Sequence, residues 1–137
     1  MFKNSNTIII ILVIIAIIGL SGCAKKTSNS TFGEKHISLD SIKVSNYTNG
    51  NYSEHNNTIY YVSGYIINKN PIDALNVKLK VITYDSNNDT VAINETPTLN
   101  PKSIPANGNS ALYARFYDPE KRIVRFKIQI IDAKAEY

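Results

Sequence analysis

Cysteine occurs once in this 137-residue chain, at position 23. It follows Leu20, Ser21 and Gly22 and precedes Lys25 and Lys26. A thiol is the strongest nucleophile among ordinary side chains. Small residues before it leave the preceding peptide bond open to a peptidase. That combination points to processing and modification at Cys23 rather than to core packing, because the residues that follow are polar. Three further groups have types that could do chemistry. Asp85, Asn87 and Asp89 stand at the first three ligand positions of a calcium loop. Its sixth position is Thr90 rather than glycine, however, and its twelfth is Thr96 rather than glutamate. The stretch therefore reads better as a polar turn, since Asp and Asn bond their own backbone. Two histidines, His36 and His55, have no nucleophile motif nearby, and no cluster has zinc-ligand spacing. The last group is aromatic: nine tyrosines and no tryptophan. Tyr60, Tyr61, Tyr65, Tyr113 and Tyr117, with Arg115, are a candidate ligand surface. Exposed tyrosines stack on sugars or anchor protein partners. The plainer account of them is β-propensity, because tyrosine fits sheet surfaces. Neither an enzyme nor a cofactor is expected.

The elements that place Cys23 are local. Residues 8–18 are only Ile, Leu, Val and Ala, with Lys3 ahead of them and small residues behind. A positive start, a short apolar core and small residues before a cut site mark a secretory signal. A spanning helix wants about 20 apolar residues, and this run is shorter. The order Leu20-Ser21-Gly22-Cys23 resembles a lipobox, the cleavage and lipidation signal of prokaryotic lipoproteins. The resemblance implies that Cys23 begins the mature chain and carries lipid. Two acyl-type chains hold a protein stably, at about 0.8 kcal/mol per buried methylene. The alternative is an uncleaved N-terminal transmembrane helix with an incidental cysteine. Either way the rest of the chain is expected at the cell membrane, facing the extracytoplasmic side. The expected division is a signal at 1–22, a lipidated flexible tether at 23–35 and a folded domain at 36–137.

Charge narrows the partners. Fifteen Lys and Arg against eleven Asp and Glu leave a formal +4. The basic residues are scattered rather than clustered, so nucleic acid is not an expected partner. A protein or a glycan at the surface remains open. With one cysteine there is no internal disulfide, and core packing must hold the domain.

After residue 36 the apolar pattern has period two. Ile37 and Leu39 give way to Ile42 and Val44 with a phase slip, which predicts a bulge or break. Residues 46–58 read as a polar loop turning at Asn49-Gly50. In the next strand Tyr60, Val62, Gly64 and Ile66 share one face, and Tyr61, Ser63, Tyr65 and Ile67 the other. Leu75, Val77, Leu79 and Val81 alternate with Asn76, Lys78 and Lys80. Val91 and Ile93 read as a short strand, and Pro97, Pro101 and Pro105 limit the following stretch to edges and turns. Leu112, Ala114 and Phe116 point inward against Tyr113, Arg115 and Tyr117. Val124, Phe126, Ile128 and Ile130 share one side. About seven short strands separated by turn signals predict an all-β, immunoglobulin-like antiparallel sandwich.

Residues 61–91 carry a family resemblance. Val62, Gly64 and Asn68 make a Val-x-Gly strand ending in Asn, and a Val-rich strand closes in Tyr84-Asp85. A polar turn follows, then Pro105 and Gly108 lead into a strand with Phe116. This outline resembles the FxLYD family of extracytoplasmic β-sandwich modules, over about residues 59–132. Val81 and Thr83 stand where that family has Phe and Leu, and its turn glycine is absent. The resemblance implies a surface-located, non-catalytic binding or assembly module.

Overall fold

The computed structural model describes residues 33–136. The signal, Cys23 with its lipobox, and all but the last residues of the tether lie outside them. The first strand, β1 (Glu34–His36), begins two residues ahead of the expected boundary at 36. A single 3-10 turn, Leu39–Ser41, separates it from β2 (Ile42–Val44). Then come β3 (Asn49–Tyr52), β4 (Ile59–Asn68), β5 (Leu75–Tyr84) and β6 (Thr90–Asn94). The last three strands are β7 (Thr98–Asn100), β8 (Asn109–Tyr117) and β9 (Arg125–Glu136). Among the described residues, no helix is long and apolar enough to cross a membrane.

The strands form two antiparallel sheets packed as a sandwich. One has the order β1-β9-β5-β6, the other β2-β4-β8-β7, with β3 also paired to β4. The β4–β8 and β5–β9 pairings are the central non-local pairs of an immunoglobulin-like arrangement, and β1 takes the edge beside β9. The phase slip before Ile42 is the point where the chain changes sheets: β1 pairs β9, and β2 pairs β4.

The buried faces are largely those the alternation predicts. Val62 and Ile66 of β4, Leu79 and Val81 of β5, and Leu112, Ala114 and Phe116 of β8 are all buried. Each fully buried aliphatic side chain contributes about 1.5–3 kcal/mol. Polar groups inside are paired. Asn68 donates from Nδ2 to the carbonyls of Ile72 and Ile104 at 2.8 and 3.1 Å, which holds the crossover after β4. Thr83 Oγ1 accepts from the Ala92 amide and donates to the Ala92 carbonyl.

Two sequence expectations are corrected. Asn49-Gly50 is not a turn: both residues lie in β3, paired with Ser63 and Val62. The reversal comes later, where Ser53 Oγ and Asn56 Oδ1 accept backbone amides. Val91 and Ile93 lie in β6 as expected, and Ile93 is half exposed. A bulge opposite Thr83/Tyr84 shifts the phase of β6, so that Val91 and Ala92 pack on the core instead. Val124 is also exposed and precedes β9. Its amide bonds the Tyr84 carbonyl, and inward alternation starts at Phe126.

Candidate functional site

The outer face of the five-stranded sheet carries most of the predicted tyrosines. The β4–β8 register sets Tyr61 opposite Arg115, Ser63 opposite Tyr113, Tyr65 opposite Ala111 and Ile59 opposite Tyr117. Since Cβ atoms alternate between faces, Tyr61, Tyr65, Tyr113, Arg115 and Tyr117 fall on one side. Tyr65, Tyr113 and Tyr117 are exposed. The rings of Tyr61 and Tyr113 lie 5.4 Å apart and tilted by 32°. Tyr47, which is not among the residues the sequence assigns to this surface, is 85% exposed and joins the patch from the connection between β2 and β3. Tyr47, Tyr65, Tyr113, Asn49 and Ser63 line a shallow depression of about 340 Å³. Partial burial, and then the hydrogen bond and charge of Tyr61, raise the Tyr113 phenol above its ordinary value. Arg115 pulls it the other way.

Tyr60 does not belong to this surface. It is 5% exposed and packs edge-to-face on Tyr52 at 5.0 Å, inside the sandwich. Its parity is that of Val62 and Ile66, so the same alternation that exposes Tyr61 buries Tyr60. Burial pushes its phenol up from the ordinary value.

A second polar group lies at one end of the core. Tyr52 donates its hydroxyl to Asp118 Oδ2 at 2.5 Å, and the Ile123 amide donates to the same oxygen at 2.9 Å. Asp118 is buried. Burial, then the hydrogen bond and charge of Asp118, raise the Tyr52 phenol far above its usual range. Every partner is internal, and the network joins β3 to the turn between β8 and β9. No local pattern points to this pair, because Tyr52 and Asp118 are 66 residues apart.

The calcium-like stretch is a hairpin turn. Asp85 Oδ1 accepts the amides of Asn87 and Asp89 at 2.9 and 3.0 Å, and Oδ2 faces Arg122 at 3.4 Å. The Asp89 amide chiefly holds the Asp85 carboxyl below its ordinary value, with Asn87 and Arg122 adding to it. Asn88 takes the positive φ of 66° that the turn requires, and Arg125 binds its Oδ1 at 2.8 Å. Arg125 also lies 4.0 Å over the Tyr84 ring. Asn87 and Asp89 occupy exposed positions. Among the described residues, no group of three or more His, Cys, Asp or Glu could hold a metal ion. His36 pairs through Nδ1 with Asp132 at 2.7 Å, and His55 is exposed in the loop after β3.

No family model matches this chain, and no curated protein matches it. Among solved structures it is similar to the crystal structure of a DUF1425 family member from Shewanella sp. pv-4. The two are 19% identical with a TM-score of 0.48, over 74% of this chain and 91% of that one.

Proposed function

We propose that this chain is a membrane-tethered, extracytoplasmic binding module, and that its ligand seats on the tyrosine face of the five-stranded sheet. One observation carries the ligand surface: Tyr61, Tyr65, Tyr113 and Tyr117 share one face with Arg115, Tyr47 adjoins Tyr65 and Tyr113 at the depression, and most of them are exposed. A contiguous exposed aromatic patch marks an interaction surface. Its rigid, amphipathic rings suit stacking against sugar rings or anchoring a protein. The contiguity of the patch and its shallow depression favour a glycan. The tether rests on the lipobox resemblance at Leu20-Ser21-Gly22-Cys23, and the FxLYD resemblance fits a surface module without catalysis.

Two measurements test this reading. The membrane-extracted protein should have the mass of a chain starting at Cys23 plus lipid, and Cys23→Ala should lose both the added mass and the membrane association. An unprocessed chain retaining residues 1–22 would replace lipidation with a helical anchor. For the ligand surface, Tyr65→Ala and Tyr113→Ala should each weaken retardation in polysaccharide affinity gels by about tenfold. Tyr60→Phe, a buried control, should leave retardation unchanged. Equal retardation of all variants would remove the tyrosine face from the reading.

A further inference from the structure

The sandwich has a second surface, at the edge of the other sheet. Strand β5 is ten residues long, but β6 pairs with it only from Val81 to Tyr84. At its beginning, Ala74 exchanges two backbone hydrogen bonds with Ile104. Between the Ala74–Ile104 bridge and the Val81–Asn94 pair, residues 75–80 have no strand partner on this side among the described residues. A regular strand of this length would span about 20 Å, and the first half of this one is bulged around Asn76, whose φ is 46°. Beside it the chain crosses to the other sheet through Pro97, β7 and Lys102. The two walls enclose an open groove of about 1060 Å³.

The groove is lined by apolar and basic residues. Val77, Leu79, Pro97 and Leu99 contribute to its lining together with Lys78, Lys80 and Lys102. Among the described residues none of these lysines has a salt bridge. Of the two acids at the groove, Glu34 is held by Lys134 at 3.0 Å, which leaves Glu95. An unpaired strand edge is a template for another strand. The charges select which strand. A second copy adding antiparallel to this edge would bring Lys78 and Lys80 against their own counterparts, and like charges directly opposite are destabilising. An acidic strand would meet those lysines favourably.

We infer that the free edge of β5, residues 75–80, receives an extended acidic segment of a partner protein as an added strand. Backbone hydrogen bonds to the edge supply affinity. The apolar lining takes alternate side chains, and Lys78, Lys80 and Lys102 take the carboxylates. This site is separate from the tyrosine face and does not depend on a glycan ligand there.

The test uses the full-length chain in mild detergent with three fluorescent octapeptides, followed by polarisation. The first alternates valine with glutamate, and the second alternates valine with lysine. The third is the acidic peptide with alternate amides N-methylated. The acidic peptide should bind, and the lysine peptide should not. N-methylation should weaken binding by about tenfold or more, because it removes the donors a sheet edge requires. Lys78→Glu and Lys102→Glu should weaken it similarly with unchanged circular dichroism, whereas Tyr65→Ala should have no effect. Absence of binding by the acidic peptide overturns the inference. So does equal binding of the lysine or N-methylated peptide, which would indicate charge or apolar adsorption alone. Sedimentation showing a dimer that the acidic peptide cannot enter would make a second copy the occupant, and would overturn it too.

Discussion

Asp118→Ala lowers the unfolding free energy by about 4 kcal/mol, since hydrogen bonds to a charged acceptor are worth about 1.5–3 kcal/mol each and two are lost. The carboxylate is buried and takes the Tyr52 hydroxyl and the Ile123 amide on one oxygen. Alanine leaves both donors inside with a poorer choice. The Tyr52 hydroxyl can turn to the Ile123 carbonyl, now at 3.3 Å, but the Ile123 amide keeps only the Tyr52 oxygen at 3.1 Å. Asp118→Asn retains one acceptor and should cost about half as much. Urea unfolding followed by circular dichroism measures both, and a loss below about 1 kcal/mol, the ordinary surface range, would show that the network does not hold the end of the sandwich.

The same network predicts an alkaline limit. The Tyr52 phenol is raised by burial first and by Asp118 second. Tyr60 is raised by burial, and Tyr113 by partial burial and Tyr61. A raised phenol stays protonated in the folded state while the unfolded chain ionises. Its contribution to stability is therefore complete below the ordinary tyrosine value of about 10 and is lost as pH rises beyond it. Tyr52→Phe should flatten that alkaline decline, leaving the smaller part due to Tyr60 and Tyr113. An unchanged slope in the variant would assign the decline elsewhere.

The second large effect is at Gly64. In the interior of a strand, glycine to alanine ordinarily stabilises, because glycine is the most flexible residue in the unfolded chain. Here the sign reverses. A Cβ on Gly64 would lie 2.5 Å from the Cα of Thr48, where the connection between β2 and β3 crosses over β4. Backbone must move to admit it, so Gly64→Ala should cost about 3 kcal/mol, at the upper end for overpacking. Adding Thr48→Ala should recover only part of this, because the backbone at position 48 still stands in the way. Gly50→Ala meets Tyr60 and Phe126 side chains at 2.8 and 2.9 Å and should cost less, since rings can shift. Thermal unfolding of the three variants gives the order directly. A stabilised Gly64→Ala would mean that the crossing at Thr48 is loose.

Several of these features are local and were legible in the residue order. Alternation with period two depends only on successive Cβ atoms pointing to opposite faces. It therefore placed Leu79 and Val81 inside and Tyr61, Tyr65 and Tyr113 outside, and Asp85 announced its turn by its own backbone bonding. The all-β class and the edge position of the proline-flanked β7 follow from the same short-range rules. Other features depend on which strand lies beside which. Bulges in β6 and around Asn76 of β5 change the phase of a strand without a signal in its own residues. Asn49-Gly50, a turn by local preference, became strand because the adjoining β4 offered a paired edge. Tyr52 and Asp118 meet across the fold, and the free edge of β5 exists because the strand that pairs with it stops short. Local propensity is set within a few residues, whereas pairing, burial and exposed edges are set by contacts between distant ones, and for that reason the tertiary structure alone decided them.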